Sequence, residues 1–236
     1  MTDRKGELAA NLAKVKQRIA DACAAAGRER DEVTLIVVTK TYPASDVRLL
    51  SGLGVRHVAE NKDQDAAPKA AECSELPLSW HFVGQLQTNK VRSVVGYADV
   101  VQSVDRARLV TALSKEAVRA GREVGCLLQV ALDAGAEERG GVAPGGVEEL
   151  AALVAGSPGL RLDGLMTVAP LSGEYAGRRR EAFGRLMDLS TDLRRTHPAA
   201  NMVSAGMSAD LEEAVAAGAT HVRVGTAVLG VRARLG

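Results

Sequence analysis

Two hydrophobic patterns open the chain and predict a helix followed by a buried strand. Apolar residues recur at helical spacing at Leu8, Leu12 and Ile19, with charged residues between them. This spacing predicts an amphipathic helix that ends near Gly27. Residues 33–40 are instead almost all β-branched or leucine, with no alternation of polar and apolar positions. Such a run is typical of a parallel strand that is buried on both faces.

The same succession of strand and helix continues to the end of the chain. Strand-like segments are found at residues 33–40, 55–59, 79–84, 100–104, 126–132, 162–168, 202–204 and 221–226. Helical patterns are found at residues 8–26, 45–53, 62–73, 105–120, 147–154, 178–195 and 208–218. Eight such units predict an α/β fold, a single (β/α)8 TIM barrel over residues 1–236 with an extra N-terminal helix. A doubly wound open sheet is the alternative fold.

Polar residues at the segment boundaries predict where helices begin. Ser45, Asp105 and Ser208 each stand just before a helical pattern, and their side chains suit an N-cap. The glycine-rich residues 133–146 follow the fifth strand and are expected to form the longest irregular loop.

Composition and charge exclude several classes of protein. The 30 basic and 29 acidic residues give a net charge of +1, which provides no general attraction for nucleic acid or an anionic membrane. Cys23, Cys73 and Cys126 form no C-x-x-C pair, so we expect reduced thiols in the cytoplasm. The histidines are never three or four residues apart, and we expect no metal site. No segment resembles a secretion signal or a membrane span.

Candidate functional residues follow several of the predicted strands at their carboxyl ends. In a closed barrel these ends meet at one face, which would bring together Lys40, Asn61, Met166, Ser204 and Arg223. Burial at this face would lower the pKa of a lysine and make its amine a nucleophile. The alternative is that Lys40 is an ordinary solvated lysine at a strand end.

Two glycine-containing segments at the seventh and eighth strand ends suit a bound phosphate. Residues 204–206 provide a serine hydroxyl and a glycine ahead of a helix, and Gly225 with Thr226 provides a second glycine and hydroxyl. The loops after these two strands are the usual phosphate site of such barrels. An ordinary turn and a helix cap are the alternative for each segment.

A Schiff-base lysine beside a phosphate site is what pyridoxal 5′-phosphate (PLP) requires, and it equally suits a class I aldolase acting on a sugar phosphate. Arg223 alternates onto the same face as Gly225. An inward arginine is costly unless it meets an acceptor. That acceptor would be a pyridine nitrogen or, alternatively, a carboxylate at the barrel mouth.

Five groups of residues resemble one family, the pyridoxal phosphate homeostasis proteins (YggS/PROSC family), which are relatives of the alanine racemase barrel. They are Thr39-Lys40 with Pro43, Glu60-Asn61 with Gln64, the run from Trp80 to Lys90, the run from Ser204 to Asp210, and the run from Val222 to Thr226. The resemblance covers the chain from the first strand onward. Mild departures from the family pattern are Ala59, Lys62, Asp65 and Ala205.

The resemblance implies a fold type III PLP barrel and a role for each site residue. Lys40 would hold PLP as a Schiff base, and Arg223 would face the pyridine nitrogen. Asn61 and Met166 would lie near the ring. The implied phosphate ligands are Ser204, Gly206, Gly225 and Thr226.

The residues favour a PLP carrier over an enzyme. Racemisation needs two bases on opposite faces of the cofactor, and in alanine racemases the second is a tyrosine of a further domain, which we expect this chain to lack. Tyr175 is the one tyrosine that we keep as a candidate catalytic acid. An arginine at the ring nitrogen also weakens the ring as an electron sink. We therefore expect no catalytic residue. The alternatives are a PLP-dependent amino-acid racemase and a Schiff-base aldolase.

The expected role is intracellular PLP homeostasis by storage, buffering or transfer of the cofactor. PLP is the expected ligand, and PLP-requiring apoenzymes are candidate recipients. We expect a cytoplasmic monomer that binds neither nucleic acid nor membrane.

Overall fold

Eight parallel strands form a closed barrel in the computed structural model, which describes residues 3–132, 140–170 and 173–230. Each strand pairs with the next one along the chain, and β8 pairs with β1 to close the ring. The strands are β1 Thr34–Val38, β2 His57–Glu60, β3 Ser79–Phe82, β4 Val100–Val104, β5 Val124–Gln129, β6 Leu160–Met166, β7 Met202–Ser204 and β8 His221–Val224. The predicted (β/α)8 barrel is confirmed, and the open-sheet alternative is wrong.

Helices surround the barrel, and the extra N-terminal helix is present. The helices of the described ranges are α1 Arg4–Ala25, α2 Ala44–Gly52, α3 Asp63–Glu72, α4 Val91–Tyr97, α5 Ala107–Ala120, α6 Val147–Ala155, α7 Arg179–Thr196, α8 Leu211–Ala217 and α9 Thr226–Leu229. The apolar stripe of α1, with Leu8, Leu12 and Ile19, is buried and packs against α8 and α9. None of these helices is long and apolar enough to cross a bilayer.

Strand ends are where the predicted and observed elements differ most. β1 stops at Val38, so Lys40 lies in a turn, although Thr39 N still donates to Ala59 O. β8 stops at Val224, and Thr226 begins α9 instead of ending the strand. The hydrophobic pattern gives the extent of a buried run, but a strand ends where pairing with its neighbours ends.

The three predicted N-caps are wrong. The N-cap positions of α2, α5 and α8 are occupied by Pro43, Arg106 and Asp210, and none of the three caps its helix with its side chain. Asp105 instead pairs with Arg106, and Ser208 accepts a hydrogen bond from Ala227 N. Asp105 thus pairs with the adjacent residue, and Ser208 makes a tertiary contact instead of capping α8.

The barrel separates two layers of buried side chains. Val37, Val58 and Val222 lie in the layer between the strands and the surrounding helices. Alternate residues of the same strands therefore face the barrel interior. An apolar cluster inside the barrel joins strands β4 to β7 through Val100, Leu127, Met166 and Met202.

Parts of three expectations lie outside the described residues. They are half of the glycine-rich loop (133–139), part of the turn after the sixth strand (171–172) and both chain ends (1–2 and 231–236). A single domain over the whole of residues 1–236 therefore stays a prediction.

Candidate functional site

Lys40 lies at the carboxyl end of β1, in a turn held by an unusual backbone conformation. Its side chain is exposed and makes no hydrogen bond or ion pair within the described ranges. Because Val37 faces the outer helices, alternation places Val38 and then Lys40 on the interior side of the barrel mouth. Thr41 follows with φ 68°, a conformation that is unfavourable for a β-branched residue and often marks a functional turn.

A buried ion pair supports this turn from the outer side of the barrel. Glu60, the last residue of β2, is 0% exposed, and its Oε1 accepts hydrogen bonds from Thr39 Oγ1 at 2.7 Å and from Lys69 Nζ. Lys69 Nζ also donates to Thr39 O at 3.0 Å. The pair therefore fixes Thr39 through both its hydroxyl and its carbonyl. No local pattern in the sequence predicts this cluster, although Glu60 stands beside the candidate residue Asn61.

Arg223 is a buried cation whose partners are all neutral. It is 4% exposed, and it donates from Nη1 to Ser204 Oγ at 2.6 Å and from Nη2 to Thr167 O at 2.8 Å. Burial lowers the pKa of the guanidinium to about 10, against a smaller raising effect of Asp210, so the group stays charged at neutral pH. No carboxylate of the described residues lies within 4.0 Å of the guanidinium. The alternative acceptor considered from the sequence, a carboxylate at the barrel mouth, is therefore absent from the described residues. A buried charge without a counter-ion is costly unless a ligand provides an acceptor.

Ser204 supports Arg223 instead of opening onto the mouth. Its side chain is 0% exposed, and its hydroxyl donates to Gln102 Oε1 at 2.7 Å while accepting from Arg223. The one hydroxyl hydrogen is therefore already used within the barrel. Gln102 was not among the candidate residues, because nothing local in the sequence shows that β4 faces β7 across the interior.

The segments after β7 and β8 form one cup of backbone and hydroxyl groups. Within the described residues, the backbone N–H groups of Gly206, Gly225 and Thr226 donate to no other protein group. Ser208 Oγ lies 3.3 Å from Thr226 Oγ1 and accepts from Ala227 N at 3.4 Å. Ser208 therefore belongs to the cup, whereas its position before a helical pattern predicted an N-cap.

The two glycines of the cup, Gly206 and Gly225, allow its backbone to pack closely against neighbouring segments. Gly206 has φ +87°, and a Cβ there would come within 2.6 Å of the Cβ of Ala214. A Cβ at Gly225 would stand 3.2 Å from Val38 O. The cup thus packs directly on the strand that leads to Lys40.

Asn61 and Met166 lie at different depths in the barrel. Asn61 follows β2, is half-buried and borders a cavity of about 480 Å³ between the segments after β2 and β3. Met166 is 1% exposed and packs inside the barrel against Val100 and Leu127, so it lies beneath the mouth. Contacts of either residue with a cofactor ring stay predictions.

Tyr175 lies in the segment between β6 and α7. It is half-buried and packs against the larger apolar cluster between the barrel and the helices. This packing gives the ring a structural role, and a catalytic role for its hydroxyl stays untested.

Comparison with known proteins identifies the family. The model of the family "Alanine racemase, N-terminal domain" matches residues 6–233. A pyridoxal phosphate homeostasis protein of Mycobacterium tuberculosis is 43% identical over 249 residues, covering 98% of this chain and 95% of the relative. The corresponding protein of Pseudomonas aeruginosa is 41% identical over 225 residues, covering 95% and 96%.

A solved structure agrees with these relatives. The structure of PipY of Synechococcus elongatus with PLP bound superposes with a TM-score of 0.79 at 33% identity, covering 94% of this chain and 100% of PipY. Matches of this identity over nearly the whole of both chains show the family, so this chain belongs to the pyridoxal phosphate homeostasis proteins, on the barrel of the alanine racemase N-terminal domain.

Proposed function

We propose that this chain binds PLP at the barrel mouth and acts in PLP homeostasis. The observation that carries the proposal is Arg223, a buried guanidinium without a carboxylate partner in the described residues, at the strand end next to the cup. Such a group is stabilised by an acceptor that a ligand brings, and a pyridine nitrogen is one. PipY, whose solved structure contains PLP, supports the choice of ligand.

Lys40 is the residue that we propose to link to the cofactor. When PLP is bound it supplies an aldehyde. The amine of Lys40 adds to the aldehyde carbon, the carbon–oxygen double bond is replaced by a carbon–nitrogen double bond, and the oxygen leaves as water. Hydrolysis of this Schiff base returns the free amine and free PLP. A reversible link of this kind lets the protein both store and release the cofactor.

The phosphate group suits the cup. We propose that the backbone N–H groups of Gly206, Gly225 and Thr226 donate to it, together with the hydroxyls of Ser208 and Thr226. The resemblance implies that Ser204 also binds the phosphate. Because its hydroxyl hydrogen is bonded to Gln102, we propose that Ser204 acts mainly by supporting Arg223.

Arg223 favours storage over catalysis. A guanidinium only donates hydrogen bonds, so a pyridine nitrogen that faces it accepts one and is not readily protonated. An unprotonated ring is a weaker electron sink, which disfavours chemistry on bound amino acids. We propose that Asn61 and Met166 pack near the ring, and that the protein acts in the cytoplasm as a monomer, with PLP-requiring apoenzymes as recipients.

Uptake of PLP tests the proposal. The purified protein is incubated with PLP, dialysed, and examined by visible absorption, beside Lys40→Ala and the control Lys62→Ala, which removes an exposed lysine at the next strand end. We expect a retained yellow band in the wild type and the control, and its loss in Lys40→Ala. Absence of PLP uptake by the wild type would contradict the proposal. Racemisation of L-alanine by the loaded protein would instead establish an enzyme.

A further inference from the structure

A continuous line of hydrogen bonds crosses the barrel interior from Arg223 to His57. Arg223 Nη1 is 2.6 Å from Ser204 Oγ, which is 2.7 Å from Gln102 Oε1. Gln102 Nε2 is 2.9 Å from His81 Nδ1, and His81 Nε2 is 3.1 Å from His57 Nδ1. These residues come from β8, β7, β4, β3 and β2. Since β4 and β7 are not neighbours in the barrel, the contact between Gln102 and Ser204 spans the interior.

The line has a single direction, which is set at its Arg223 end. A guanidinium has no acceptor, so Ser204 Oγ accepts from Arg223 and gives its one hydrogen to Gln102 Oε1. The opposite orientation of the Gln102 amide would leave that hydrogen without an acceptor among the described residues. Gln102 Nε2 therefore donates to His81 Nδ1, and the proton of His81 lies on Nε2, from which it donates to His57.

Burial agrees with this protonation. Gln102 is 0% and His81 is 1% exposed. Desolvation lowers the pKa of His81 well below its ordinary value, and charges on His57, His221 and Arg223 would lower it further. His81 is thus neutral at physiological pH and keeps an unprotonated Nδ1 for the Gln102 amide. Every group between Arg223 and His81 has its partner, which makes the line a stiff support.

We propose that Gln102 is a positioning residue for cofactor binding: through Ser204 it fixes the guanidinium of Arg223 toward the pyridine nitrogen of PLP, and His81 in turn orients the Gln102 amide. The inference rests on the proposed function, since it concerns how Arg223 meets PLP. An arginine side chain loses rotamer entropy when it is ordered. Contacts at Nη1 and at Nη2 order it before the ligand arrives, and its remaining N–H donors stay available to the ligand.

Three variants separate positioning from general packing. Gln102→Met keeps the volume of the side chain and removes its hydrogen bonds. Gln102→Glu keeps an acceptor for the Ser204 hydroxyl. His81 can then carry its proton on Nδ1 and donate it to the introduced carboxylate, and His57 can carry its proton on Nδ1 and donate it to His81 Nε2. Gln17→Met on the exposed face of α1 makes the same change as Gln102→Met at a surface site.

The first measurement uses the PLP dissociation constant and the absorption maximum of bound PLP. We expect Gln102→Met to weaken PLP binding about tenfold, the usual size for loss of a buried hydrogen bond, and to shift the absorption maximum. Gln102→Glu should recover most of the affinity, and Gln17→Met should match the wild type. A folded Gln102→Met with wild-type affinity and spectrum would overturn the inference. If neither the wild type nor Gln17→Met takes up PLP, the proposed function itself fails.

A second measurement needs neither ligand nor variant. In the ligand-free wild type, ¹⁵N NMR of the His81 ring should show an unprotonated Nδ1 and a protonated Nε2. A proton on Nδ1 would reverse the direction of the line and overturn the inference, even if the Gln102 variants fail to fold.

Ser204→Ala, which breaks the line one step nearer to Arg223, should repeat the effects of Gln102→Met.

Discussion

Glu60 and Lys69 form a buried ion pair directly behind Thr39, the residue that precedes Lys40. Because both charges are out of water, removal of one partner leaves the other uncompensated. We expect Lys69→Met to lower the free energy of unfolding by about 3 kcal/mol or more. The double variant Glu60→Gln/Lys69→Met should lose less, since no charge remains and the introduced amide keeps an acceptor for Thr39. Urea denaturation of the two variants checks this, and equal losses would contradict it.

The backbone of Gly84 lies against that of Asn61, and this contact gives a second prediction. A Cβ at Gly84 would come within 2.0 Å of Asn61 O, which requires the backbone to shift. We expect Gly84→Ala to destabilise the protein by about 1–3 kcal/mol and to weaken PLP binding. The control is Gly96→Ala in α4, where a Cβ meets nothing within 4 Å. That change should be neutral or stabilise by up to about 1 kcal/mol. Similar melting temperatures for the two variants would argue against the contact.

Ser208 and Ser204 should respond differently to the phosphate group of the ligand. Ser208→Ala removes a hydroxyl from the cup, so it should weaken binding of PLP and leave binding of pyridoxal, which has no phosphate, nearly unchanged. Ser204→Ala acts through Arg223 and should weaken both ligands. Competition binding with the two ligands measures the difference. The reverse pattern would assign the phosphate to Ser204, as the family resemblance implies.

Acid should destabilise the barrel through its interior histidines. Burial lowers the pKa of His221 from its ordinary 6.5 to about 4, and burial also lowers the pKa of His57 and His81. Between pH 6.5 and about pH 4 the unfolded chain binds more protons than the folded chain. The free energy of unfolding therefore falls as the pH drops below about 6.5, and it recovers as the pH rises. One pKa unit corresponds to about 1.4 kcal/mol, so a shift from 6.5 to about 4 means that His221 contributes at most about 3.5 kcal/mol.

The free energy of unfolding, measured from pH 7 to pH 4, tests this dependence. His221→Gln should flatten the slope between about pH 6.5 and pH 4. His197→Gln, at the carboxyl end of α7 and outside the barrel, serves as the control for the change of residue type. An unaltered slope in His221→Gln would mean that other groups, such as carboxylates, cause the acid sensitivity.

The sequence was sufficient for the architecture because the barrel repeats one local pattern. Each buried strand is an apolar run such as residues 33–40, and each helix has apolar residues at helical spacing. Eight units could therefore be counted without knowledge of any long-range contact. The closing pair β8 and β1 then follows from the number of units. Strand ends and helix caps were less predictable, since Ser208 and Asp105 suit a cap locally but make other contacts in the folded chain.

The candidate site residues that the sequence predicts all lie at or just after the carboxyl end of a strand. Lys40, Arg223 and the two cup glycines stand at carboxyl ends, where a barrel gathers them. Gln102 and Ser204 are separated by 102 positions, and their contact across the interior depends on the register of all the strands between them. For the same reason the bond between the Ser204 hydroxyl and Gln102 could not be predicted, and phosphate binding by Ser204 stays a prediction.

Reduction with borohydride followed by peptide mass mapping tests the link between Lys40 and PLP directly. Borohydride converts a Schiff base into a stable secondary amine, which marks the lysine that held the cofactor. We expect a single phosphopyridoxyl group on the peptide that contains Lys40, and none on that peptide in Lys40→Ala. Labelling of another lysine, with Lys40 unmodified in a PLP-loaded wild type, would contradict the assignment of Lys40.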